Sequence, residues 1–431
     1  MAFIFSYYIT GFNPEKQYVL FESRDAAQLT DQRMFSINSL SSFNMKKKVL
    51  VSASLFHALN DAATVTVPMI FPLLYSQQFI IKKYFHIGLL SNLGLLVTFL
   101  FQIVIVNVSH KYEYKHMLLL SYVGICLSLW LMTLPTAFST FLIVYLSMRM
   151  FNSFYHSIGI AWVSKTHPDQ RMDSAMGIQS GSGNLGVLMA FVTSGFLAQI
   201  LGWKAPLYVW AGAGFILGTI SVLNVRHVST RVEEVFKPDF SSWMETLKNI
   251  KIYIPGFAFG GACWGTTVFF APSLLNHRFE IPLGQTGLFL ALWIGIGTVV
   301  TYLFGFLSRK FGRLKISIYA FSGATVFLFL LGFIPVKEIA LISLFFFGTF
   351  LFLVYPGFQS FIGNEVPAKN QAQAFSLSSN VQMLTGALVV LIAGFLSDKF
   401  GINSPFVFLG VLGAIVSFFY LSKFPFLAQK A

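Results

Sequence analysis

GFLSDKFG (394–401) recurs almost letter for letter as GFLSRKFG (305–312) and again as GFLAQILG (195–202). Each copy stands where a long apolar run meets a few polar or charged residues. The first and last copies lie 199 residues apart, and the same shift places Gly195, Phe196, Leu197, Gly202 and Pro206 on Gly394, Phe395, Leu396, Gly401 and Pro405. It also places Ser109 on Ser308, Lys111 on Lys310 and Pro168 on Pro367. The chain therefore reads as one unit duplicated.

The apolar runs between these octets define the class. Of 431 residues, 55% are hydrophobic and only 10% charged, whereas soluble domains carry about 25% charged residues. A membrane-spanning helix needs roughly 20 consecutive, mostly apolar residues. Twelve such spans are expected, at about 49–75, 85–107, 116–134, 138–164, 172–200, 204–224, 252–275, 284–307, 315–334, 338–363, 371–396 and 404–424. Alternating strand patterns of the kind that build a β-barrel are absent. The expected fold is an all-α membrane protein, its twelve helices forming two pseudo-symmetric six-helix bundles.

The formal net charge of +13 follows from loop chemistry rather than from nucleic-acid binding. Lys and Arg gather in cytoplasmic loops. With the N-terminus inside, Lys46–Lys48, Lys111, Lys115, Lys165, Arg171, Arg226, Arg231, Lys237, Lys248, Lys251, Arg309, Lys310, Arg313, Lys315, Lys369, Lys423 and Lys430 fall on one side. Lys82, Lys83, Lys204, Arg278, Lys337 and Lys399 fall on the other. Both termini are thus expected in the cytoplasm, with the chain in the plasma (inner) membrane. Copy 305–312 then faces in, and copies 195–202 and 394–401 face out. A motif that changes sides within a six-helix half is what an inverted three-plus-three repeat produces, and that architecture places a solute site at mid-membrane. The two cysteines, Cys126 and Cys263, sit in apolar runs and support neither a disulfide framework nor a zinc site.

Five segments follow from this reading. Residues 1–44 are polar and expected to be a flexible, dispensable tail, since MetLysLysLys (45–48) reads as a natural start. Residues 45–225 and 251–424 are the two bundles, 226–250 a cytoplasmic linker, and 425–431 a C-terminal tail. Within the linker, Phe240, Trp243, Met244 and Leu247 fall at i, i+3, i+4 and i+7, with Asp239 as an N-cap. That spacing fits either an amphipathic helix on the membrane surface or a solvated connector.

The chain resembles the major facilitator superfamily over essentially all of 45–424. The family's loop fingerprint, Gly-x-Leu-x-Asp-Arg-x-Gly-Arg, is matched by Gly305, Leu307, Lys310, Gly312 and Arg313, with Arg309 at the Asp position. The first-half loop 106–113 keeps only Lys111. A narrower resemblance, to fosmidomycin-resistance-type exporters, rests on three segments. These are PheHisAlaLeuAsnAsp (56–61) with PheProLeuLeu (71–74), TyrHis (155–156), and GlnSerGlySerGlyAsnLeuGly (179–186). Ser157 and Ile158 replace the Pro and Glu of that subgroup. The resemblance implies two rocking halves, a small-molecule substrate, no cofactor and a monomer. It also implies that the loop residues gate and that the helix 5 glycines Gly177, Gly181, Gly183 and Gly186 allow close packing.

An ionisable group inside a bilayer is a functional candidate by default. Helix 1 carries His57 and Asp61 at i, i+4, with Asn60 beside them. Helix 4 carries Arg149, Asn152 and His156 at i, i+3 and i+7. Each set shares a helical face. Asp61 is the leading proton carrier, with His57 and His156 next. A buried carboxylate favours its neutral form and a nearby cation favours the ionised one, so Arg149 could release that proton or bind an anionic solute. Asp61 and Arg149 could equally be a static pair. The second half offers an aromatic and amide wall: Trp264, Trp293, Tyr355, Gln359, Asn380 and Gln382. No metal site is expected.

The leading function is a secondary transporter exporting a small organic compound or drug in exchange for protons. A proton-driven importer of an organic acid or sugar is the alternative. No phosphate-binding Gly-x-x-x-x-Gly-Lys-[Ser/Thr] loop occurs, and no His-Glu-x-x-His that an intramembrane metalloenzyme would need.

Overall fold

The computed structural model describes residues 26–167, 172–228, 240–366 and 368–430. The chain divides into two compact units, Met1–Lys47 and Lys48–Ala431. In the first, residues 26–47 are helical. Residues 26–44 were expected in a flexible tail; they contain neither Gly nor Pro, so nothing in them breaks a helix. Residues 1–25 and Asp239 lie outside the described residues.

Among the described residues, twelve long helices run along the chain. The first six are α1 (Ala26–Ser76), α2 (Tyr84–Val108), α3 (Tyr114–Leu131), α4 (Phe138–Phe154, continued by Tyr155–Gly159 and Ile160–Thr166), α5 (Met172–Leu201) and α6 (Lys204–Asn224). A linker helix covers Phe240–Ile250, where the apolar spacing leaves a helix and a solvated connector both open. Then follow α7 (Ile254–Ser273, continued by Leu274–Arg278), α8 (Leu283–Phe311), α9 (Arg313–Phe333), α10 (Lys337–Glu365), α11 (Ala368–Phe400) and α12 (Ser404–Lys430). α12 takes in residues 425–430, expected as a tail. Among the described residues, ten helices are long and apolar enough to cross a membrane. The two outside that set, α1 and α4, carry the polar residues singled out above. α4 is also interrupted by a π turn at Tyr155–Gly159, a feature that recurs at functional sites.

The duplication is visible in the packing. Gly124 of α3 lies against the ring of Phe151 on α4, and Gly323 of α9 lies 2.8 Å, from a Cβ built on it, from the ring of Phe350 on α10. These pairs are 199 residues apart. The equivalent of Arg149, which packs on Gly94, is Gly348, which packs on Trp293. Large and small have traded places, so the first half places a cation where the second places an indole.

All three octets end a helix. Gly202, Gly312 and Gly401 have φ of 86°, 86° and 93°, a backbone that other residues rarely adopt. Their N–H groups donate to Ala198, Ser308 and Ser397 carbonyls at 3.1, 3.0 and 3.0 Å, closing the helix as a C-terminal glycine does.

The first glycine of each octet behaves differently between copies. Gly195 (α5) meets the backbone of Leu283 and Gly287 on α8. Gly394 (α11) meets Tyr84, Phe85 and Gly88 on α2, with a Cβ 2.9 Å from the Tyr84 carbonyl. The two crossings are related by the repeat. A Cβ built on Gly305 would meet only Arg309 Nη1, at 4.0 Å. The close crossings are therefore at the other two copies and not at the fingerprint loop. Arg309, Lys310 and Gly312 are exposed.

The fifth octet residue completes this closure. Asp398 accepts from the Tyr84 and Phe85 N–H groups at 2.8 and 2.9 Å, and Gln199 Oε1 accepts from the Gly284 N–H at 2.8 Å. These N–H groups begin α2 and α8, whose own N-cap residues, Lys83 and Pro282, supply no side-chain cap. A helix start leaves such donors unsatisfied, and an acidic group there also complements the helix dipole. At this end of the bundle each half thus caps a helix of the other.

Candidate functional site

The sequence spacing of α1 turns His57, Asp61 and Thr64 toward α4 and α5. His57 Nε2 lies 3.1 Å from Asp61 Oδ2, and His156 Nε2 lies 3.2 Å from Asp61 Oδ1. Asn60 Nδ2 donates to Asp61 Oδ1 at 3.1 Å and lies 3.3 Å from His156 Nε2. One carboxylate thus sits between two imidazoles from two helices. The side chains of Asp61 and His156 are 20% and 38% exposed, so the cluster is open on the His156 side.

The surroundings hold His57 firmly. Its Nδ1 is 2.8 Å from the Gln179 carbonyl on α5, and its ring stacks on Tyr155 at 4.4 Å. Tyr155 donates its hydroxyl to Gln179 Oε1 at 2.9 Å. Of the helix 5 glycines, Gly186 lies against the Ala58 backbone, a Cβ built on Gly181 would stand 3.4 Å from the Tyr302 hydroxyl, and Gly177 faces open space. Gly183 is the critical one. A Cβ there would stand 2.7 Å from His57 Nε2 and 2.8 Å from Asp61 Oδ2. Gly183→Ala should therefore split the His57–Asp61 contact at an overpacking cost of about 1–3 kcal/mol. Transport is expected to fall at least about tenfold with the amount of membrane-inserted protein unchanged, read by transport assay against immunoblot. Parental activity in that variant would show that the contact is dispensable.

Arg149 is not part of the triad. It is 3% exposed, and its guanidinium faces the Gly94 carbonyl, Thr64 Oγ1 and Asn152 Oδ1, each at 3.4 Å. No described carboxylate lies within ion-pair distance, so the Asp61–Arg149 pair considered from sequence does not form. Arg149 and His156 are seven positions apart, about 10 Å along a helix, and Asp61 sits at the level of His156. The buried Arg149 keeps a positive charge with only long contacts to neutral oxygens. The hydroxyl of Tyr145, also packed on Gly94, is buried without a hydrogen-bond partner.

Asn152 is committed to structure. Its Nδ2 donates to the Asn60 carbonyl at 2.7 Å, and its Oδ1 accepts from Thr64 at 3.1 Å. In the second half, Trp264 and Trp293 stack at 5.7 Å, with Phe352 edge-on to both. Trp293 is fully buried and its Nε1–H lacks a partner. Asn380 and Gln382 are half-buried, and the Gln382 backbone packs on Gly261. The side chains of Tyr355 and Gln359 lie outside the described residues. By the repeat, the counterparts of His57 and Asp61 are Gly256 and Gly260, so the cluster belongs to one half alone. Sequence reading missed Thr64, Tyr155 and Gln179. Tyr155 and Gln179 lay within motif segments, but nothing in their spacing pointed them at His57.

The sequence profile of the Major Facilitator Superfamily matches residues 52–390. The chain is 27% identical over 219 residues to the nitrite extrusion protein of Bacillus subtilis (strain 168), covering 48% of this chain and 50% of that protein. The chain thus spans about half the length of that relative. It is 22% identical over 305 residues to an MFS-type transporter of Methanocaldococcus jannaschii, covering 64% and 72%. Among solved structures, it is similar to a bacterial homolog of the human lysosomal transporter Spinster, inward-facing and unoccupied. The TM-score there is 0.74 at 16% identity, over 87% of this chain and 96% of that one. The nucleoside transporter NupG matches with a TM-score of 0.71 at 13% identity, over 88% and 99%. With twelve helices described in the repeated arrangement and a profile match across most of its length, the chain belongs to the Major Facilitator Superfamily.

Proposed function

We propose that this transporter exports a small organic anion in exchange for protons. The observation that carries this reading is the pairing, in one half, of a partly exposed His57–Asp61–His156 cluster with a buried, carboxylate-free Arg149. The cluster supplies groups that can take up and release a proton. Arg149 supplies a desolvated cation that an anionic solute would neutralise. The segments that resemble fosmidomycin-resistance-type exporters favour the outward direction, as does the likeness to a protein named for nitrite extrusion. The Lys and Arg distribution favours both termini in the cytoplasm, and the capped end of the bundle would then face out.

The second half would contribute an apolar wall through Trp264, with the fully buried Trp293 stacked behind it rather than exposed to solute. Alternating access then follows from rocking of the two bundles, 45–225 and 251–424, about the octet-end crossings.

The test is transport by the purified chain in vesicles, across a panel of anionic, neutral and cationic compounds, with and without an imposed pH gradient. Gradient-driven movement of anionic compounds, weakened by Arg149→Ala more than that of neutral ones, is expected. Transport indifferent to the pH gradient would overturn the coupling. Equal loss for anionic and neutral solutes in the variant would overturn the role of Arg149.

A further inference from the structure

The hydrogen-bond pattern of His57 leaves a site that a proton alone need not fill. A carbonyl oxygen only accepts, so the contact with Gln179 puts the imidazole hydrogen on Nδ1. In a neutral ring, Nε2 then presents a lone pair, and it is aimed at a carboxylate oxygen 3.1 Å away. Two lone pairs at that distance repel unless a cation lies between them. On the far side of the same carboxylate, His156 Nε2 stands at 3.2 Å. One ligand atom from each of His57, Asp61 and His156 lies within 4.8 Å of the others.

This is the donor set of a transition-metal site. Zinc binds imidazole nitrogen and carboxylate oxygen at about 2.0–2.2 Å, which places neighbouring donors about 3–3.5 Å apart. The two contacts to Asp61 already have that spacing. Nitrogen donors select zinc-class ions over magnesium and calcium. A ligating histidine commonly donates its other N–H to a carbonyl, which fixes ring and tautomer; the Gln179 carbonyl does this for His57. Gly183, lacking a side chain, leaves the space beside His57 Nε2 and Asp61 Oδ2 free, and the exposed edge of His156 leaves a route in for an ion and its waters.

We propose that His57, Asp61 and His156 bind one divalent transition-metal ion of the zinc class, in place of the proton. The proposal rests on the reading above only in taking the cluster to be the proton site. The titratable and charged groups that face it are His57 on α1 and Arg149, Tyr155 and His156 on α4; α5 contributes Gln179 and Gly183, which do not titrate. Metal binding must displace protons from its ligands, so the ion and the proton compete.

The test is titration of the full-length, detergent-purified chain with zinc by calorimetry, and with cobalt by visible spectroscopy. One saturable ion per chain is expected, with affinity falling about tenfold for each pH unit lowered where one proton is displaced. Asp61→Asn and His156→Gln should each weaken binding by at least about tenfold. His156→Gln, at the exposed edge, covers the case in which the buried change impairs folding. Absence of saturable binding by the parent chain overturns the proposal. So does binding in both variants equal to the parent's, which would place the ion elsewhere. A parallel transport assay with a chelator present keeps the two readings apart. If pH-driven transport persists while no ion binds, only the metal proposal falls. If the ion binds as expected and transport ignores the pH gradient, only the proton coupling falls.

Discussion

Asp61→Asn is expected to abolish accumulation driven by a pH gradient while leaving membrane insertion intact. The substitution keeps the size of the side chain and one carbonyl oxygen. It removes the negative charge that two imidazoles share at 3.1 and 3.2 Å. Without it, neither His57 nor His156 has an anionic partner, and protonating either would leave a charge in a partly desolvated site, which is costly. The loaded state loses its stabilisation and the exchange loses its driving ion. Solute-for-solute exchange does not require net proton movement, so counterflow should survive. The measurement is gradient-driven transport and counterflow in the same vesicles. If the Asn variant accumulates solute as steeply as the parent, Asp61 is a structural residue and the proton is carried elsewhere.

Gly287→Val should hold the octet end of the bundle open. A Cβ at Gly287 would collide with the Phe191 carbonyl and crowd the Gly195 backbone at 3.4 Å, so α5 and α8 could not close where they now cross. Overpacking of this kind costs about 1–3 kcal/mol, which is about 5- to 150-fold in the ratio of the two states. A cysteine placed at Ala198, buried on the same α5 face as Gly195, should become more reactive toward a membrane-impermeant thiol reagent, and transport should fall by a similar factor. The native Cys126 and Cys263 are buried and should contribute little background. Gly295→Val supplies the contrast on the same helix, because its Cβ would meet only Leu188 Cδ1, at 3.9 Å. Asp398→Ala, which removes the cap on α2, should shift the equilibrium the same way by a smaller amount, about 0.5–2 kcal/mol. Equal labelling in the parent and in Gly287→Val would show that this crossing does not set the state of the transporter.

Much of this molecule was legible in local sequence. Span lengths and the loops between them depend on hydropathy averaged over about 20 residues, and the helices fall within a few residues of the expected ends, except that α1 begins at Ala26 rather than near 49 and α12 runs on to Lys430. The duplication was readable from the octets, because a helix end carries its own glycine. His57 and Asp61 could be placed on one face because the helical period fixes neighbours at i and i+4.

What the sequence could not decide was which side chains meet across helices. Asp61 had two plausible partners on α4, Arg149 and His156, both on the same face. The level at which α1 crosses α4 selected His156 and left Arg149 among neutral oxygens. The octet looked equivalent in its three copies, yet only Gly195 and Gly394 lie at tight crossings, and only Asp398 and Gln199 reach the start of another helix. The physical reason is the range of the forces involved. Hydropathy and helical period act within one segment, whereas a hydrogen bond or a steric contact between segments depends on the depth, tilt and rotation of both, set by the packing of the whole bundle.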